Sequence, residues 1–203
     1  MEQLILSFPL TESLTRENFF ITGCNKEAVL WLDKWEKWPF RTLFLVGPKD
    51  SGKTHLSEVF KDTVQNGVVF EDLDRYPDKE EELFHLYNKI QEEKGFLLVT
   101  SRTPLQALVV KLKDLQSRLK AIQSVSLKDP DDELLTKVLK KHFERRQLEI
   151  EQDSFSYLLT RIDRSFKTLN EIVEAIDKES LKEHRKITVP FIRKILLTKG
   201  YEL

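Results

Sequence analysis

The stretch "GPKDSGKT", Gly47 to Thr54, has the spacing GxxxxGK[ST]. The glycines let a loop fold back so that backbone N–H groups face one point, and Lys53 adds a cation there. Such a cradle suits the oxygens of a nucleoside di- or triphosphate, and the Thr54 hydroxyl suits the accompanying Mg2+. The candidate nucleotide contacts are Gly47, Pro48, Ser51, Gly52, Lys53, Thr54 and the adjoining His55. Hydrolysis also needs an acid at the end of a nearby strand. "VVFED" supplies Glu71 and Asp72. One would hold Mg2+, directly or through water, and the other would polarise the attacking water. The usual order is Asp then Glu; here it is reversed, so the two roles stay unassigned. "VTSRT" ends a further apolar run with Thr100 and Ser101, where a hydroxyl can sense the terminal phosphate. The competing readings are a loop that kept its shape but lost its nucleotide, and strand-end carboxylates without a role.

These residues need a scaffold, and the hydrophobic pattern supplies one. "TLFLVG", "GVVF", "GFLLVTS" and "IQSVSL" are short apolar runs, the form taken by strands buried on both faces. Between them "KTHLSEVFKDTV", "DKEEELFHLYNKIQEE" and "LKDLQSRLK" have helical periodicity. Strands alternating with helices imply an α/β body on a parallel sheet. Ahead of the first strand, Asn25 is placed as an N-cap. Ala28, Trp31, Leu32, Trp35 and Trp38 follow at helical spacing, with Pro39 as the stop. The tryptophans bury one face of that helix or, less simply, line a ligand site. From Asp129 the pattern becomes all helical, with Asp129 read as cap and Pro130 as first helical residue. The basic run "KKHFERR" reads as cations on a solvated helix face, with DNA contact as the alternative.

The domains expected are an N-terminal peptide (1–10), an α/β nucleotide-binding body (11–128) and an all-α lid (129–203). Hydrophobic residues make up 40% of the 203 and charged residues 33%, at net charge −1. A protein living on bare nucleic acid carries a basic excess, so strong direct DNA binding is not expected. Cys24 is the single cysteine, which suits a reducing cytoplasm and rules out an intrachain disulfide. No apolar run approaches the roughly 18 residues of a membrane span. The first residues lack the basic start of a secretory signal.

Phosphate loop, acid-ended strand, polar-ended strand and helical lid together resemble the AAA+ ATPases. "FFITGCNKEAV" resembles the segment before the phosphate loop of the bacterial initiator DnaA. "LKDLQSRL", "DRSFKTL", "KITVPFIRKIL", "KWPFRTLFLVGPKDSGKTHL", "VVFEDLDR" and "LLVTSRTP" resemble parts of the DnaA-related Hda/HdaA family. This resemblance, over nearly the whole chain, implies a Walker A motif at 47–54, Walker B at Glu71 and Asp72, and sensor one at Thr100 and Ser101. It implies an arginine finger at Arg118, sensor two at Lys167, and an adenine border around Phe20 and Ile21. Bound ADP or ATP with Mg2+ follows, and DnaA as partner. The family role is negative regulation of replication initiation, in which the finger stimulates hydrolysis of DnaA-bound ATP while the protein's own turnover is weak or absent. A homodimer is left open. Arg118 also has a plain reading, as a helix cap or as partner of Asp114. Lys167 stands where an arginine is usual and lacks its planar pair of donors. Only "DTVQNG" separates the first body helix from the Walker B strand, so the sheet is expected to lack one strand of the usual set. The chain stops where DnaA continues into its DNA-reading domain, so origin reading is not expected. A small phosphate-loop kinase and a clamp- or helicase-loader subunit are the alternatives. A phosphoryl-transfer screen separates the first, and pull-down against clamp, helicase and DnaA the second.

"QLILSF" near the amino terminus is apolar and outside this scheme. It is either an edge strand or a peptide for another protein's groove. Gln3, Leu4, Leu6 and Phe8 resemble the motif with which the family binds the DNA polymerase III sliding clamp (the β subunit). Gln3 would enter a polar pocket, and Leu6 and Phe8 an apolar one.

Overall fold

The computed structural model describes residues 14–183 and 185–201. The segment holding Gln3, Leu4, Leu6 and Phe8 lies outside the described residues.

Four strands, β1 (Thr42–Val46), β2 (Gly67–Phe70), β3 (Phe96–Ser101) and β4 (Gln123–Ser126), form one parallel sheet in the order β2-β3-β1-β4. In β1 the side chains alternate. Leu43 and Leu45 enter a cluster with helices α1 (Lys26–Asp33) and α2 (Lys53–Thr63). Phe44 and Val46 enter another with α3 (Glu80–Glu93) and α4 (Lys113–Ala121). Every residue of β1 is buried, because helices cover both faces of the sheet. The sheet has no strand between α2 and β2, where Val64–Asn66 make the connection. Residues this few cannot form the missing strand and its helix, so the short spacing carried the topology.

The helix expected to run from a cap at Asn25 to a stop at Pro39 is shorter, and Asn25 plays another part. Helix α1 ends at Asp33, and Trp35 and Trp38 sit on and beside 3-10 turns. The Trp38 indole N–H donates to the Trp31 carbonyl at 2.6 Å, claiming an acceptor that a continued helix would use. All three tryptophans nonetheless pack on the core, with Trp38 stacked on Phe60 at 5.1 Å and Trp35 edge-on to Phe96 at 4.7 Å. They bury a face and are absent from the lining of the pocket over the phosphate loop. Asn25 does precede α1, but its side chain caps no helical N–H. Its Oδ1 accepts from Thr22 N–H at 2.9 Å and its Nδ2 donates to the Phe20 carbonyl at 2.9 Å, which fixes the loop before the helix.

Helices α5 (Asp132–Arg145), α6 (Gln152–Leu159), α7 (Phe166–Glu183) and α8 (Val189–Thr198) gather around their own core of Leu139, Phe143, Leu158, Val173, Ile176 and Ile192. The cap of α5 is Asp131, not Asp129. Asp131 is extended at φ −78, ψ 165, and its Oδ1 accepts from Leu134 N–H at 2.8 Å. Its other oxygen, Oδ2, accepts from Cys24 N–H of the body at 3.2 Å. That second contact selects Asp131 from the acids of "DPDDE".

Candidate functional site

The phosphate loop leaves β1 and enters α2 as its glycines require. Gly52 has φ +94, a region costly for any residue with a Cβ. A Cβ on Gly47 would lie 2.6 Å from Ser51 Oγ and 2.9 Å from Leu127 Cβ. Lys53 is buried, and its Nζ donates to the carbonyls of Gly47 at 2.8 Å and Pro48 at 2.7 Å. Burial pushes the Lys53 ammonium below its ordinary pKa. Asp72, Asp74 and Asp50 pull it back up, and the Arg102 charge adds to the lowering.

A pocket of about 500 Å3 opens over this loop, walled by both parts of the molecule. The body contributes Phe19, Phe20 and Asn25 before β1, Lys49 to His55 of the loop, Asp72 and Arg102. Helix α5 contributes Leu134, Val138, Lys141, His142 and Arg145, and α7 contributes Phe166, Lys167 and Asn170. Lys141 joins the two halves: its Nζ donates to Asn18 Oδ1 at 2.6 Å and lies 4.9 Å from the centroid of the Phe20 ring. His55 bonds to the Thr15 carbonyl at 2.9 Å and meets Phe19 edge-on at 5.1 Å.

Phe20, Ser51, Gly52, Lys53, Thr54, His55, Asp72 and Lys167 therefore share one pocket, with Gly47 and Pro48 behind Lys53 as its acceptors. The structure separates Glu71 from Asp72. Asp72 lines the pocket, whereas Glu71 is exposed and its charge, after that of Glu58, acts on Lys61 of α2. Asp72 takes a left-handed conformation, φ 52, and its N–H donates to Thr100 Oγ1 at 3.0 Å. Ser101 is fully buried and donates to Asp74 Oδ1 at 3.0 Å rather than lining the pocket. Ile21 is 40% exposed and also outside the lining. Lys167 is exposed on the pocket rim, 3.7 Å from Glu171.

Arg118 lies elsewhere. It is half-buried on α4, donating through Nη1 to Asn88 Oδ1, with its guanidinium carbon 4.5 Å from the Phe84 centroid and 5.1 Å from that of Tyr87. Neither reading of it as a helix cap nor as Asp114's partner describes this seat on α3.

Apart from Lys167, sequence reasoning missed the lid's share of the site. Lys141, His142 and Arg145 belong to "KKHFERR", read as a solvated face, yet they line the pocket. Their spacing, i, i+1 and i+4, was the available signal, since it puts them on one side of a helix. Arg102 and Asp74 were also missed; they surround the end of β3.

The residues fit a nucleotide. Lys49, Lys53, Arg102, Lys141, Arg145 and Lys167 converge against only Asp50 and Asp72 as acids in the lining. A polyanion balances that excess.

A glycine-fitted phosphate loop on a parallel sheet, an acid at the neighbouring strand end and a helical lid over the loop define the AAA+ class of nucleotide-binding folds. Residues 131–196 match the family model "Hda, lid domain". An uncharacterized protein of Haemophilus influenzae is 31% identical over 233 aligned positions, spanning 96% of this chain and 98% of that protein. Domain III of the Thermotoga maritima replication initiation protein DnaA superposes with TM-score 0.78 at 18% identity, over 94% of this chain and 98% of that one. The AMPPCP-bound DnaA of Aquifex aeolicus superposes with TM-score 0.65 at 16% identity, over 88% and 70%. The chain belongs to the Hda and DnaA-related family of AAA+ proteins. Among the described residues no helix is long and apolar enough to cross a membrane.

Proposed function

We propose that this protein restrains bacterial replication initiation by binding the DNA-loaded sliding clamp through Gln3, Leu4, Leu6 and Phe8, and stimulating hydrolysis of ATP held by DnaA. Arg118 acts in trans. A guanidinium supplied by a neighbouring subunit stabilises charge on the transferring phosphoryl group, an effect on the order of 10³–10⁵ in rate in other systems. The observation that supports this reading is the seat of Arg118. It lies outside the chain's own pocket, with aromatic rings against its guanidinium and Asn88 on one N–H. Aromatic rings take up none of the guanidinium's strong donor capacity, so the donors that Asn88 does not use stay available to a phosphate from another molecule.

The chain's own ADP or ATP binds between the phosphate loop and the lid. Thr54 and Asp72 hold Mg2+, Lys53 meets the phosphates, and Phe20 borders the base. Glu71 is exposed outside the pocket lining, which leaves Asp72 as the acid from this strand end, so the site is poorly equipped to activate water and intrinsic turnover is slow. The nucleotide's task is then to hold lid and body at one angle through Lys141, Arg145 and Lys167.

The test is single-turnover hydrolysis of DnaA-bound ATP, with and without clamp loaded on DNA. The full chain accelerates it only with loaded clamp, and Arg118→Ala does not. Undiminished stimulation by Arg118→Ala overturns the finger assignment. Stimulation indifferent to the clamp overturns the tether.

A further inference from the structure

We propose that Arg102 reads the terminal phosphate of a bound nucleoside triphosphate from the body side of the pocket, so that this chain distinguishes triphosphate from diphosphate although the lid offers a lysine at position 167. The inference rests on the nucleotide reading above and adds the residue that selects among nucleotides.

Arg102 follows directly on β3, and its backbone is pinned. Its N–H donates to Asp74 Oδ1 at 2.8 Å, and the neighbouring Ser101 hydroxyl donates to the same oxygen at 3.0 Å. Thr103 N–H in turn donates to Ser101 Oγ at 2.9 Å. The exit of the strand is thus held at the carboxyl edge of the sheet, where ligands of open α/β sheets bind. From there the exposed side chain lines the same pocket as Lys53 and Asp72.

Its guanidinium has no hydrogen bond or ion pair among the described residues. The neighbouring charges do not neutralise it. Asp72 is partly engaged by Arg75, at 3.2 Å, and Asp74 by the backbone and hydroxyl just described. Lys53 is a like charge that Arg102 opposes. Two cations facing one phosphate loop repel each other until an anion stands between them. The loop N–H groups cradle the inner phosphates and its lysine reaches the outer ones, so a second cation close enough to act on Lys53 falls at the terminal end of the phosphate chain. Lys167, the lid's counterpart, is an exposed point charge already near Glu171. Arg102 instead offers a planar fork matched to phosphate oxygens.

The experiment is calorimetric titration of the full chain with ADP and with AMPPCP, each with Mg2+. Arg102→Ala is expected to weaken AMPPCP on the order of tenfold or more while ADP stays within about twofold, the span of a lost charge-assisted bond. Arg102→Lys falls between, and Lys53→Ala weakens both ligands. The thermal midpoint of Arg102→Ala should match the parent, since its side chain holds nothing in the fold. Unchanged AMPPCP affinity, or equal weakening of both ligands, overturns the role of Arg102 and leaves the nucleotide site standing. Failure of the unaltered chain to bind either ligand overturns the nucleotide reading and this inference together.

Discussion

Cys24 N–H donates to Asp131 Oδ2 at 3.2 Å, across 107 residues of chain, while the other oxygen of the same carboxylate caps α5 at Leu134. One side chain therefore ties the loop before α1 to the first helix of the lid, beside a pocket that both parts wall. Burial works to raise the Asp131 pKa, but hydrogen bonds from Leu134, Thr22 and Cys24 outweigh it and hold the group below the ordinary 3.8. A folded-state pKa below the unfolded one gives stability that is present above the unfolded value. That stability is lost as pH falls through the folded value. Asp131→Ala should cost roughly 1–2 kcal/mol at neutral pH, as loss of a cap does. The gap between parent and variant should close in acid. Urea melts at neutral pH and below the ordinary carboxylate range check both; a gap that widens in acid has the wrong sign.

The two loop glycines should fail differently. Gly52→Ala meets a positive φ and a Phe19 ring edge 3.3 Å away, which can shift, so a loss of about 1–2 kcal/mol is expected. Gly47→Ala places its Cβ 2.6 Å from Ser51 Oγ and 2.9 Å from Leu127 Cβ, in packed surroundings. It should distort the loop itself and abolish nucleotide binding. Thermal melts paired with titration of a fluorescent nucleotide distinguish the two.

Asn88→Ala keeps the Arg118 charge but removes the acceptor that orients it. Stimulation of DnaA-bound ATP hydrolysis should drop on the order of tenfold, the effect of a misplaced catalytic group, with the chain's own nucleotide affinity unchanged. A rise in stimulation instead would mean that Asn88 restrains Arg118 rather than aiming it.

Deletion of residues 1–8 should abolish binding to the sliding clamp, leaving the thermal midpoint and nucleotide affinity as in the full chain. Surface-bound clamp and a thermal melt suffice. A large fall in the midpoint would assign the segment to the fold.

The sequence by itself determined the layers and the phosphate loop. Those signals are local: "TLFLVG" carries no charge at any position because both faces of β1 are covered, Gly47 is glycine because the loop leaves no room for a Cβ, and Gly52 because its φ is +94. The missing strand was legible for the same reason, since Val64–Asn66 are too few residues to build one. Tertiary structure decided what depends on partners distant in the chain. Asp129 and Asp131 are alike as caps until Cys24 supplies a second donor. Glu71 and Asp72 are alike as acids until the turn after β2 sends one into the pocket and leaves the other outside. "KKHFERR" looked solvated because a helix face facing a polar ligand pocket carries the same residues as one facing water. Only the packing of α5 over the loop, through Lys141 on Asn18 and Phe20, shows which of the two it is.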